Sequence, residues 1–256
     1  MKKSIIIANW KMNLSFQEAK ILAKKIIKAT KEFSSSYNSE VVICPPFMSL
    51  PAVVKFFGPK KNFLFCGAQD CFWEEQGGFT GEISPVYLKE TGCDYVILGH
   101  SERRNILKET DEMVHKKVRA ALNSGLIPII CVGETREERE KGLKEQIIIS
   151  QITHALEGIR LNSHQKIIFA YEPVWVIGSG QAINPYEAEY MSKIIKQRMI
   201  DLYPLPIVNN NLRIVYGGSV DTRTIKDFLK QETIKGVLVG GASLKAEEFI
   251  KMCKMI

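Results

Sequence analysis

Apolar residues along this chain alternate between two patterns. Short runs rich in β-branched residues are each followed by a turn and then by a segment with helical spacing, the pattern of a parallel sheet covered by helices. Eight such runs are legible: Ser4 to Ala8, Glu40 to Cys44, Phe63 to Gly67, Tyr95 to Gly99, Ile127 to Val132, Lys166 to Tyr171, Leu212 to Tyr216 and Gly236 to Gly240. Eight units without a second compositional regime predict an α/β fold, a single closed (β/α)8 barrel over residues 1–256 with parallel strands inside and helices outside. An open doubly wound sheet is the alternative that a miscount by one strand would favour.

Helix starts carry their own chemistry. Ser15 with Glu18, and Thr135 with Glu138, fit capping boxes in which the hydroxyl takes an early backbone N–H and the carboxylate reaches back. Asn184 before Pro185 places a cap residue ahead of a proline whose missing N–H costs nothing at that position. After the first strand, Ala19, Leu22, Ala23, Ile26 and Ile27 form one helix face and Lys20, Lys24, Lys28 and Lys31 the other, which reads as a solvated basic surface.

Length agrees with this architecture, since 256 residues match the roughly 250 that one barrel needs. The formal charge of +7 admits nucleic acid, an acidic membrane surface or an anionic small substrate as partner. No nucleic-acid motif or arginine stripe accompanies it, which leaves the small anion and argues against nucleic acid and membrane. The opening Met1-Lys2-Lys3 and Ile5-Ile6-Ile7-Ala8 break off at Asn9-Trp10-Lys11, too early for a signal peptide, and no stretch is long and apolar enough to span a bilayer. Six cysteines form no C-x-x-C pair and have no histidine at metal-ligand spacing, so neither a metal nor a disulfide framework is expected, and a reduced, cytoplasmic enzyme is.

In a barrel of this kind the chemistry sits at the C-terminal strand ends. Those ends carry Asn9 and Lys11 after the first strand, His100 and Ser101 after the fourth, and Glu172 after the sixth. Taken singly, each has a structural reading: a satisfied histidine, a solvated lysine, a carboxylate at a helix start. Their convergence on one face is what points to catalysis. Glycine-rich turns follow the last three strands, at Gly178-Ser179-Gly180, Gly217-Gly218-Ser219 and Gly240-Gly241, where backbone N–H groups can close on a phosphate. Any one of these could simply be a tight turn. A dinucleotide fingerprint is excluded at Gly178, because Ile183 stands where the third glycine belongs.

The strings Ala8-Asn9-Trp10-Lys11-Met12-Asn13, Gly99-His100-Ser101-Glu102-Arg103-Arg104, Ala170-Tyr171-Glu172-Pro173-Val174-Trp175 running to Gly180, Tyr216-Gly217-Gly218-Ser219-Val220 and Leu238-Val239-Gly240-Gly241-Ala242-Ser243-Leu244 resemble the triosephosphate isomerase family, in order, over nearly the whole chain. The resemblance implies a TIM barrel that interconverts dihydroxyacetone phosphate and glyceraldehyde 3-phosphate through an enediolate without a cofactor, in glycolysis and gluconeogenesis and beside the pentose phosphate pathway. It implies Glu172 as the base and His100 as a neutral proton shuttle, the family being itself a standard case of tuned acid and base groups. It further implies Lys11 and Asn9 as stabilisers of the developing oxyanion, and Gly178, Ser219, Gly240 and Gly241 as phosphate ligands. Ser101, Glu102 and Tyr216 would support them, and Trp175 would centre a lid over Pro173 to Gly180. The apolar lid residues Val174 to Ile177 would desolvate Glu172 on closing. The loop Gly67 to Glu82 resembles the family's dimer arm, with Thr80 as a contact in a homodimer, although Phe72 and Trp73 could equally fold back on their own subunit.

Some positions depart from the family pattern. Asp70 replaces Asn, Gly78 replaces Ala, Leu107-Lys108 replaces Phe-Gly, and Val176 and Ser179 in the lid replace Ala and Thr. Lys196 and Lys235 stand where an Arg–Asp pair is usual, with a modest stability cost expected. Other readings are a different phosphate-binding barrel isomerase, which should lack the Asn-x-Lys, His and Glu set, and a catalytically silent barrel kept for binding, which should have lost one of them.

Overall fold

The structure is a computed structural model that describes residues 4–32, 39–58, 63–178 and 181–256. Eight parallel strands close in sequence order into a barrel: β1 (Ile5–Asn9), β2 (Glu40–Cys44), β3 (Leu64–Ala68), β4 (Tyr95–Leu98), β5 (Ile127–Val132), β6 (Ile167–Tyr171), β7 (Leu212–Tyr216) and β8 (Ile234–Val239). The ring shuts where Ile5 to Ala8 pair with Gly236 to Val239. Around it lie α1 (Phe16–Glu32), α2 (Leu50–Phe57), α3 (Pro85–Thr91), α4 (Ser101–Ile106), α5 (Asp111–Asn123), α6 (Arg136–Glu140), α7 (Lys144–Ala155), α8 (Pro185–Leu202), α9 (Leu205–Asn211), α10 (Ile225–Leu229) and α11 (Ala246–Cys253).

All eight expected strands are present, with shifted ends. β1 runs on to Asn9, β3 to Ala68, and β8 starts at Ile234, two residues before the expected Gly236. Lys235 hides that start in the sequence, since a charge inside a buried strand breaks the apolar run. β4 stops at Leu98 because Gly99 adopts φ 66°, turning the chain toward α4.

Both faces of the strands are buried, in two separate cores. Ile7, Val42, Ile97, Ile129, Ile168 and Val215 fill the barrel interior, while alternate residues such as Ile6, Ile43, Val96 and Phe169 pack outward against the helices. This two-sided burial explains why the strands read as continuous apolar runs. At the foot, the N-terminal strand ends, Arg213 reaches Glu40 Oε2 at 2.7 Å and the Tyr95 hydroxyl at 3.2 Å, and that hydroxyl donates to Glu40 at 2.6 Å.

The predicted caps form. Ser15 and Glu18 bond each other's backbone N–H, Thr135 and Glu138 form a full capping box, and Asn184 Oδ1 accepts from Tyr186 N–H. On α1 the expected apolar residues are buried, with Lys24, Lys28 and Lys31 exposed on the other side. No helix among the described residues is long and apolar enough to cross a membrane.

Candidate active site

At the C-terminal mouth of the barrel a cavity of about 370 Å³ is lined by Asn9, Lys11, His100, Gly178, Ser219, Gly240 and Gly241, so seven expected site residues meet at one place. Gly178 has φ 75°, a turn that a residue with a side chain would resist. Ser179 and Gly180, the rest of that glycine turn, lie outside the described residues.

Lys11 sits just past β1 with φ 52°, in the left-handed region that an unbranched lysine enters only at a cost. Two amides hold it there. Its N–H donates to Asn9 Oδ1 at 3.0 Å, and its carbonyl accepts from Gln69 Nε2 at 2.9 Å. Gln69 donates also to Cys44 O at 3.0 Å, bracing the first turn against β2. The ammonium group is 2.5 Å from Glu102 Oε1, so Glu102 aims the cation across the mouth.

His100 caps α4: its Nδ1 accepts the Glu102 N–H at 3.2 Å. An Nδ1 that accepts carries no proton, so the imidazole is neutral with its proton on Nε2. Glu172 is 1% exposed and does not line the cavity. Its Oε2 accepts the Ser101 N–H at the start of α4 at 3.0 Å, and its Oε1 lies 3.3 Å from His100 Nε2 without an aligned hydrogen bond to the described residues. The base is therefore turned aside, resting on the helix terminus, and a rotation of its side chain would bring it to the cavity. Gly133 lets the Glu172 backbone pack closely, since an added Cβ there would stand 1.6 Å from its carbonyl oxygen, and Gly217 leaves room for the side chain, where an added Cβ would stand 2.9 Å from Glu172 Cγ.

The lid begins as a short 3-10 turn, Val174–Val176, with Val176 buried. Trp175 Nε1 donates to Glu134 Oε1 at 3.1 Å, and the Arg139 guanidinium lies 4.7 Å above the indole ring. Glu134, wholly buried, also accepts from the Tyr171 hydroxyl at 3.3 and 3.2 Å. Tyr216 stays behind the glycine turn, stacked on Phe228 at 3.9 Å, with its hydroxyl 3.5 Å from Ile183 N; burial pushes the phenol above its ordinary range.

Gln69, Glu134 and Arg139 were not singled out from the sequence. Each acts on a residue far away along the chain or beside an unremarkable helix start, and no local spacing marks such a role.

Asp70 closes a buried ring of charges beside the mouth. Its carboxylate takes Lys117 Nζ at 2.9 and 2.8 Å and Arg103 Nη2 at 2.8 Å, while Glu109 takes Lys117 at 3.0 Å and Arg103 at 2.5 Å. Burial, then the nearby Glu109 charge, raise the Asp70 carboxyl to about 6 against the pull of Lys117 and Arg103. Phe72 and Trp73 fold back on their own chain, ring to ring at 4.0 Å with Lys116 5.6 Å above the indole. Thr80 stands exposed at the loop tip. Among the described residues no His, Cys, Asp or Glu cluster could hold a metal.

Residues 4–256 match the family model of triosephosphate isomerase. The chain is 45% identical over 254 residues to the triosephosphate isomerase of Dictyoglomus thermophilum, covering 99% of this chain and 100% of that protein. It is 44% identical to those of Caldanaerobacter subterraneus, over 98% of this chain and 99% of the relative, and of Aquifex aeolicus, over 98% of each. With a closed eight-stranded barrel, a glycine-walled mouth and this agreement along its whole length, the chain belongs to the triosephosphate isomerase family.

Proposed function

We propose that the protein interconverts dihydroxyacetone phosphate and D-glyceraldehyde 3-phosphate, with Glu172 moving the carbon-bound proton and His100 serving the enediolate oxygens. The observation that carries this assignment of roles is the pairing of a buried carboxylate, one oxygen of which has no aligned bond among the described residues, with an imidazole whose Nε2 lies 3.3 Å from that oxygen.

The chemistry follows from the geometry. A substrate phosphate bound at the turns of Ser219, Gly240 and Gly241 meets backbone N–H donors rather than flexible side chains, so little ordering entropy is lost. The carbonyl end then lies toward Asn9, Lys11 and His100. Glu172 leaves the Ser101 N–H and removes a proton from carbon; as the carbonyl oxygen becomes an oxyanion, Lys11 stabilises the charge and His100 Nε2–H supplies a proton. The imidazolate so formed takes a proton from the neighbouring hydroxyl, and Glu172 returns its own proton to the adjacent carbon. No redox agent is consumed. Lid residues from Pro173 onward exclude water and keep the enediolate from shedding phosphate as methylglyoxal.

An assay of glyceraldehyde 3-phosphate conversion with Glu172→Gln tests the assignment. We expect a loss of at least about a thousandfold, equivalent to about 4 kcal/mol of barrier. A loss below tenfold would move the base elsewhere.

We also read the active form as a homodimer of single-domain subunits. Support comes from the exposed apolar residues Met12 in the first turn, Met48 in the turn after β2, Phe79 beside Thr80 and Tyr87 on α3. Sedimentation of a fully active monomer would refute it. All six thiols are free and buried, which suits a reducing, cytoplasmic setting.

A further inference from the structure

At the foot of the barrel, away from the mouth, a second cavity of about 480 Å³ opens beside the first residues of β7 and β8. Its lining combines apolar and cationic side chains, with Val208, Leu212 and Ile234 beside Lys196 from α8 and Lys235 from β8. Both lysines are half-buried, as long side chains with an apolar stem and a hydrated ammonium group commonly are.

The charges there do not cancel. Lys235 donates to the Glu232 carbonyl oxygen, which neutralises nothing and leaves two N–H donors. Among the described residues, the Lys196 ammonium group has no hydrogen-bond or ion-pair partner. Of the nearby carboxylates, Glu189 is taken by the Thr233 N–H and hydroxyl, at 3.0 and 2.8 Å, with Lys193 at 3.7 Å. Among the described residues, Glu232 is the one carboxylate that remains in the lining, against two ammonium groups, an excess of one positive charge. Like charges beside a low-dielectric lining repel more strongly than they would in open water, so a monoanion placed between them is stabilised.

We propose that this cavity binds a small organic carboxylate, its oxygens between Lys196 and Lys235 and its apolar tail against Val208, Leu212 and Ile234. A net charge of one suits a carboxylate better than a phosphate dianion, and an apolar lining gives hydrocarbon a place that inorganic anions cannot use. The size falls in the range of ordinary ligand pockets, about 300–1,000 Å³. Because none of its lining residues belongs to the mouth, occupancy stabilises the fold without competing with substrate.

Phenylacetate is a suitable probe, with phenylacetamide as its uncharged counterpart. Calorimetric titration of the whole protein in saturating inorganic phosphate, which fills the mouth, should show phenylacetate binding and no binding of the amide. The double variant Lys196→Gln/Lys235→Gln should bind at least tenfold more weakly and keep the wild-type kcat/KM. Should that variant fold poorly, amide NMR shifts of the wild-type protein serve instead: Leu212 and Ile234 should move with phenylacetate while Gly240 stays fixed. Equal affinity in the double variant, equal binding of the amide, shifts confined to the mouth, or no binding at all would each overturn the proposal.

Discussion

The foot and the mouth of the barrel both bury charge, and they treat it in opposite ways. At the foot, Arg213, Glu40 and Tyr95 form a closed triangle of short contacts with each group serving the other two. At the mouth, Glu172 keeps an oxygen without an aligned partner among the described residues, and Lys11 holds a backbone conformation that its residue type disfavours. One end plugs the barrel, so satisfaction is its purpose. The other must exchange protons with a substrate, and groups already satisfied by the protein would have no reason to do so. The strain at Lys11 is held in place by Asn9 and Gln69, and the latter follows β3, two strands away, and takes no part in the chemistry.

The comparison can be broken most severely at the foot. Arg213→Met removes one partner from a buried ion pair and should lower unfolding free energy by about 3–5 kcal/mol, measured by urea denaturation, while kcat/KM at a temperature where the variant is folded stays within about threefold. A large activity loss in the folded variant would show that the two ends are not independent. Glu172→Gln is the mirror case: the same denaturation should show little loss of stability, or a gain, beside the large loss of activity.

Asp70 lies between these extremes, and its effect depends on pH. Its carboxyl in the fold is raised from 3.8 to about 6, so the native state holds the proton more tightly than the unfolded chain. The stability this contributes is complete below the unfolded value and is lost as pH rises through about 6. Asp70→Asn should therefore flatten stability against pH across that window. A parallel offset at every pH would assign the effect to packing.

Smaller still is the lid contact. Trp175→Phe deletes the bond to Glu134 and leaves the ring under Arg139, so its cost should be about 1 kcal/mol, seen as greater methylglyoxal release per turnover. Unchanged partition between product and methylglyoxal would remove Glu134 from lid control. At the bottom of the scale, the exposed Lys141–Glu137 pair should contribute next to nothing, and Lys141→Ala should leave the melting temperature nearly unchanged.

Much of the barrel was legible because strands buried on both faces must be apolar at every position, and caps such as Thr135 with Glu138 write helix starts into four residues. The mouth was legible for a different reason: Asn9, Lys11, His100 and Glu172 are reactive residue types at strand ends, where their kind is conspicuous. What stayed hidden is the resting position of Glu172 on the Ser101 N–H, because a rotamer has no sequence signature. Gln69 and Glu134 stayed hidden too, since an amide and a carboxylate in loops look like ordinary solvent-facing residues until the fold brings Lys11 and Trp175 to them. The start of β8 was missed through Lys235, and the same lysine, with Lys196, exposes what an ion pair at that place would have covered.

The pairing of β1 with β8 has a consequence during synthesis. Ile5 to Ala8 are made first, yet their partner edge, Gly236 to Val239, is made nearly last. Throughout translation the growing sheet therefore carries an unpaired apolar strand edge, able to join another nascent chain. The slow, long-range closure that removes it is available only once β8 leaves the ribosome. Yield on refolding or overexpression should thus depend on how quickly β8 arrives, and a circular permutant that places β8 directly ahead of β1 would aggregate less.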